Sequence, residues 1–188
     1  MILKITNLLA LLLSEAWFIK QPDWEPAILF IGFLSSLIIQ EVKTNSIKNH
    51  KIQDKALFLK LLDELPSNDG SINFLREHDF HNSFQLEKLD QLRIFARNWD
   101  NAEYEFLSKN LEKLRTELLN LIYEFINISS HNTFPLENGF QTSIPKYTDN
   151  HEIPDTRKKS IKKMNQLGDN IFIKHQELIK EAKKILNI

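Results

Sequence analysis

The chain has 188 residues, 42% hydrophobic and 26% charged, with a formal net charge of −1. That apolar content excludes a disordered polypeptide. The absence of cysteine excludes disulfides, thiolate metal sites and a thiol nucleophile, and four glycines are too few for a turn-rich β fold or a glycine-built phosphate cradle.

The N-terminus holds two apolar stretches close together, Ile5 to Ile19 and Ala27 to Ile39, the second without any charge. Between them, Lys20-Gln-Pro-Asp-Trp-Glu-Pro26 reads as a turn, with Pro22 and Pro26 stopping one helix and starting the next. No small-x-small cleavage pattern follows the first stretch, so a retained hairpin is expected rather than a cleaved signal. At about 1.5 Å per residue, 15 residues reach roughly 22 Å, short of a hydrocarbon core of roughly 30 Å; flanking residues and local thinning make up the difference. Glu15 is costly inside a bilayer, and Ser14, Ser35 and Ser36 are candidates to face it. Trp17 and Trp24 sit near the turn, where an aromatic belt falls. Lys4 precedes the hairpin, and Lys43, Lys48, Lys51 and Lys55 follow it. By the positive-inside rule both ends lie in the cytoplasm, which in a bacterium means an inner-membrane hairpin. The alternative is a cytoplasmic protein whose hairpin is core or dimer interface, because apolar runs of this length are also core helices.

Residues 43–53 are polar and read as a linker or frayed helix end. Asp54 then opens an amphipathic helix through Leu65, stopped by Pro66-Ser-Asn-Asp-Gly70. Ser71 is placed to cap a short helix, Ile72 to Glu77; another begins at Ser83 or Gln85, and Asp100 or Asn101 caps the next. Leu107, Leu111, Leu114, Leu118, Leu121, Phe125 and Ile128 recur at spacings of four and three, an apolar seam about three heptads long. Residues 132–153, with Pro135, Gly139 and Pro145, read as a long loop, either functional or laid across the helices. The last helix opens near Pro154 and Asp155, with a seam of Ile161, Met164, Ile171, Leu178, Ala182 and Ile185. The expectation is an all-α protein: a hairpin over 1–42, a linker over 43–53 and an antiparallel bundle over 54–188.

Charge differs along the chain. Residues 44–154 carry 12 basic against 17 acidic groups, and residues 155–188 carry 9 against 4. The basic end suits RNA, anionic lipid or the acidic middle of its own chain, and self-packing is the default.

Chemistry-bearing motifs are scarce. There is no P-loop, GxGxxG, GxSxG or HExxH. His78, Asp79 and His81 lie at ligand-like spacing without a second cluster, so no metal and no cofactor are expected. His175 falls among apolar positions and reads as a satisfied histidine; Trp99 with Phe95 and Phe106 reads as core. Arg76 and His81, four residues between them, resemble the Arg-x4–6-His motif of HEPN-type ribonucleases. That resemblance implies metal-free RNA cleavage, with Arg76 stabilising the phosphate and His81 moving a proton.

Trp24-Glu25-Pro26, the apolar run through Gly32, Leu65-Pro66-Ser67, Phe74-Leu75 and Asp79-Phe80 resemble uncharacterised bacterial proteins with a two-helix hydrophobic hairpin, a Trp/Tyr-Glu-Pro turn and a helical cytoplasmic body. In layout the chain is also similar to small two-helix membrane effectors of antiphage defence systems. Those resemblances imply a non-enzymatic, membrane-anchored effector or adaptor that disrupts the membrane when a partner activates it. Glu15, Trp17, Trp24, Glu25, Pro26 and Gly32 then mark the hairpin and its turn. The partners expected are a membrane and a protein or a second copy, not nucleic acid. The alternatives are a soluble helical interaction module and the HEPN-like ribonuclease.

Overall fold

The computed structural model describes residues 2–145 and 153–188, with side chains from Ile5 onward. Among the described residues the chain is all-α apart from three very short strands. It divides into two units, Met1–Ile52 and Gln53–Ile188.

The first unit holds α1 (Ile2–Lys20) and the N-terminal part of α2 (Trp24–Glu64). The turn between them is only Gln21 to Asp23, tightened by Gln21 N donating to Trp17 O at 2.9 Å and Asp23 N to Gln21 O at 2.8 Å. Pro26 therefore does not start the helix. It is the third residue of α2, in the first turn, where a missing N–H costs no helical hydrogen bond because the carbonyl four residues back lies outside the helix.

Residues 43–53, expected as a linker or a frayed helix end, are helical within α2. They contain neither glycine nor proline, so nothing in the backbone ends the helix. Their polarity reports exposure on all sides, not loss of structure. Nor does Asp54 start a helix, being 31st in α2. Its buried carboxylate caps elsewhere: Oδ1 accepts from Leu107 N at 2.7 Å and Oδ2 from Ser108 N at 2.9 Å, just ahead of α5 (Lys109–Asn132).

The second unit continues with α3 (Gly70–Glu77), α4 (Asp90–Trp99), α5 and α6 (Asp155–Leu186). Asp69, not Ser71, caps α3, its side chain accepting from Gly70 N at 2.7 Å. Gly70 sits at φ +67°, a conformation that favours glycine. Asn101 caps only a short 3-10 turn, Ala102–Tyr104, and Ser108 stands at the N-cap of α5. The buried face of α5 is Leu111, Arg115, Leu118, Ile122, Phe125 and Ser129. Leu114, Leu121 and Ile128 of the expected seam lie half-buried at its edge, and Leu107 is exposed. On α6 the expected seam is buried from Ile161 to Ala182, joined by Leu167, Gly168 and His175. Gly168 permits close packing, since a Cβ there would lie 3.2 Å from Leu75 O.

The expected loop of 132–153 is partly strand. Phe134–Pro135 (β2) and Phe140–Thr142 (β3) flank a 3-10 turn at Glu137–Gly139; β3 pairs antiparallel with β2 and with Phe84–Gln85 (β1). Strands of two or three residues are too short to show period-two patterning. The rest of that loop, 146–152, lies outside the described residues.

Candidate functional site

The first unit leaves most of its apolar surface uncovered. Ser14 is 5% exposed, whereas Leu13 beside it is 72% and Trp24 is 71% exposed. Leu8, Leu9, Leu12, Ile28, Ile31, Ile38 and Ile39 are also exposed. The less exposed side of the unit mixes polar and apolar groups: Asn7 and Ser36 are half-buried there together with Leu11, Phe30, Phe33 and Leu37, and Asn7 Nδ2 donates to Ser36 Oγ at 3.0 Å. Ser14 Oγ turns back to Leu11 O at 2.8 Å, and Gln40 Oε1 is buried without a hydrogen-bond partner. A hairpin folded for water does the opposite, burying leucine and exposing serine. Among the described residues one helix, Trp24–Glu64, is long and apolar enough to cross a membrane, and none of its apolar window is buried.

The residues singled out in this hairpin fall as follows. Glu15 is exposed, away from the buried side of Ser14, so it does not meet Ser36, whose hydroxyl is taken by Asn7. Trp17 is exposed and donates through Nε1 to Gln21 Oε1 at 3.1 Å, across the helix end. Trp24 and Glu25 open α2, and Pro26 behind them is buried. Gly32 is exposed, and a Cβ there would meet nothing within 4 Å, so close packing within the hairpin does not require it.

Arg76 and His81 are not held on one helix. Arg76 lies in the last turn of α3, which ends at Glu77. Its Nη2 donates to Asn73 Oδ1 at 2.6 Å and Glu77 Oε1 at 2.7 Å, and its guanidinium lies 5.4 Å from the Phe172 ring. His81 is an exposed turn residue beside a shallow pocket of about 320 Å³ with Asp79, Lys158, Lys162, Asn165 and Asp169, and Arg76 does not line it. Asp79 is engaged structurally. Its Oδ1 accepts from His81 N at 2.9 Å and Asn165 Nδ2 at 2.8 Å, bonds that hold the carboxyl below its ordinary range. His78 stacks on Phe74 at 4.6 Å and meets the edges of Phe80 and Phe84. Burial there lowers its pKa. Among the described residues no three His, Asp or Glu side chains converge on a metal position.

Elsewhere in the second unit, polar groups serve the packing. His175 is fully buried and hydrogen-bonded through Nε2 to Leu65 O at 2.9 Å; burial lowers its pKa. Trp99, stacked on Phe95, donates to Glu64 Oε2 at 2.8 Å. Arg115 bridges Trp99 O and Glu112. Burial pushes Glu112 upward, but Arg115, the Phe106 amide and Thr116 outweigh it and leave the carboxyl below its ordinary range. An open groove of about 780 Å³ between α5 and α6 is lined by alternating charges, Lys174 pairing with Glu117 at 2.8 Å and Glu177 at 2.6 Å. These contacts satisfy charges without gathering a nucleophile, base and anion-binding donors at one point. The tie from Asp54 to the start of α5 is not legible in the sequence, because its partners are backbone amides 53 and 54 residues away.

No family model, curated protein or solved structure matches this chain. The functional reading therefore rests on the chain's own geometry, and that geometry singles out the hairpin.

Proposed function

We propose that the chain is a membrane-anchored helical adaptor or effector. Met1–Ile52 inserts in a bilayer, and the helical body, Gln53–Ile188, stays in water to meet a protein partner. The observation that carries this reading is the uncovered apolar surface of the hairpin: most of its leucine and isoleucine is exposed, while Ser14 is buried and Asn7 is hydrogen-bonded to Ser36. Without a hydrophobic drive between helices in lipid, polar and small side chains hold them together while apolar ones face the tails. The lysines flanking the hairpin support an orientation with both ends in the cytoplasm of a bacterium. The resemblance in layout to two-helix effectors supports the finer reading, membrane disruption in antiphage defence under the control of a partner.

The test is alkaline carbonate extraction of bacterial membranes after expression of the intact chain. The anchored protein stays in the pellet and leaves it only with detergent. A monodisperse protein in the supernatant refutes the reading. For the pellet-bound protein, inner-membrane depolarisation on induction separates effector from passive adaptor.

A further inference from the structure

We propose that the segment of α2 just beyond the apolar span is a binding site for an anionic phospholipid, with the headgroup at Lys43, Lys48 and Lys51 and an acyl chain along Ile38, Ile39 and Val42. The proposal rests on the membrane reading above and names a lipid class for that surface.

Three observations carry it. First, the helix continues without a break from its apolar window through Lys51, and every residue from 41 to 53 is exposed. Second, the segment that follows Glu41 is one-signed. Between Val42 and Gln53 there are three lysines and no acidic residue, and Lys43, Lys48 and Lys51 take part in none of the ion pairs among the described residues. At about 100° per residue the three fall within an arc of about 140°, with Ile47 inside it and Asn45 and Asn49 on the opposite side. Third, a shallow groove of about 410 Å³ runs along the same stretch, lined by Ile38, Ile39, Val42, Lys43, Ser46 and Ile47. Its lining is apolar from Ile38 to Val42 and then meets Lys43 and Ser46, with Ile47 beyond them. That sequence of surfaces matches a phospholipid, tail then phosphate.

The distances agree. Lys43 to Lys51 spans about 12 Å of helix, and the flexible lysine stems reach back toward the surface. A negative leaflet acts over about one Debye length, roughly 8 Å at physiological salt. Lys43 and Lys48 lie within that reach and Lys51 at its margin. The hairpin thus has a cationic collar on one side that selects the leaflet it meets, beyond the general bias of its flanking charges.

The test uses the full chain in vesicles of phosphatidylcholine alone and of phosphatidylcholine mixed with phosphatidylglycerol. After flotation the protein is extracted in mild detergent, and the ratio of the two lipids that remain bound is measured. The expected result is enrichment of phosphatidylglycerol by at least about fivefold over the vesicle ratio, the gain from one cation near an anionic surface. The Lys43→Gln, Lys48→Gln, Lys51→Gln triple variant loses the enrichment while still floating with neutral vesicles. Equal retention of the two lipids by the intact chain, or enrichment that survives in the triple variant, overturns the proposal. Failure of the intact chain to float with neutral vesicles overturns the membrane span instead. In that case salt-reversible, lysine-dependent flotation with anionic vesicles alone still supports the lysine face, as a peripheral site.

Discussion

The two units of this chain solve opposite problems with the same kind of helix. In Gln53–Ile188, Phe58, Leu61, Leu92, Trp99, Leu118 and Phe125 are buried and lysine and glutamate face out. In Met1–Ile52, leucine and isoleucine face out and Ser14 is buried. Helix propensity does not distinguish them, because α2 runs as one helix through residues of both units. What differs is which face each segment covers. Burial in the second unit removes apolar surface from water, which is the main favourable term in folding. Burial in the first removes polar groups from whatever lies outside, which is favourable only where the outside is less polar than serine and asparagine.

The largest way to break this comparison is at its cores. Phe125→Ala empties a fully buried site against Phe80 and is expected to cost about 3–5 kcal/mol in urea unfolding of the body. The counterpart is Leu13→Asp on the outer face of α1. In lipid a carboxylate there is expected to weaken insertion by about 3 kcal/mol, read as protein released by carbonate. In water an exposed leucine is replaced within about 0.5 kcal/mol. Unchanged membrane retention of Leu13→Asp thus argues that water, not lipid, surrounds that face.

A smaller effect concerns Asp54. Asp54→Ala leaves the amides of Leu107 and Ser108 without their acceptor, and a loss of about 2–3 kcal/mol in urea unfolding is expected. Asp54→Asn, which keeps one acceptor oxygen, is expected to lose less. If Asp54→Ala is neutral, the carboxylate is not the tie that the geometry indicates.

How much of this was legible beforehand follows from the range of each signal. Helices α5 and α6 are long and periodic and are legible as helices from that pattern, whereas the two N-terminal stretches are legible only as apolar runs. Of the expected seam, Leu111, Leu118 and Phe125 are fully buried, and Leu114, Leu121 and Ile128 pack half-buried against the core. Buried Arg115 and Ser129 are not legible, because hydropathy alone cannot show that an arginine is buried on a backbone carbonyl. The helix over 43–53 is not legible because its polar residues suit a linker or a frayed helix end equally well. The Phe134–Thr142 strands are not legible because they are only two or three residues long, and the second partner of β3, Phe84–Gln85, lies more than fifty residues away in sequence. Of the candidate sites, the turn around Trp24 was visible from its prolines. The Asn7–Ser36 bond was not, since it depends on the depth at which two helices meet. Arg76 and His81 matched a spacing, but spacing does not show that α3 ends between them.

Acid provides a test confined to the second unit. Burial lowers the pKa of His175 in the folded state, so the unfolded chain binds the extra proton between that value and the ordinary value near 6.5. The stability held by neutral His175 is therefore complete above about pH 6.5 and declines as pH falls through that window, at up to ~1.4 kcal/mol per pH unit. His78 acts in the same direction, less strongly because it is half-exposed. Asp79 and Glu112, whose carboxyls are held low, add their losses only below about pH 4. Urea midpoints at pH 7.5 and 5.5 should fall for the intact chain. They should fall less for His175→Gln, which keeps an N–H for Leu65 O. An equal fall in both excludes His175 as the source.

The finest test returns to the hairpin. The Asn7–Ser36 hydrogen bond crosses its seam, and in lipid such bonds contribute about 0.6 kcal/mol by double-mutant cycle. Asn7→Val, Ser36→Ala and the double substitution isolate that coupling from the change in packing. The sign of the single substitutions is as informative as the coupling. In a water-facing hairpin, Asn7→Val adds one more apolar group to a seam that would favour it, and the hairpin gains stability. In lipid the apolar substitution gains nothing from burial, because the tails are as apolar as valine. Reconstituted Asn7→Val should therefore be less stable than the parent by roughly the coupling energy. A more stable Asn7→Val hairpin would mean that its seam is a core like that of the second unit, and that the two halves of the chain do not differ in solvent after all.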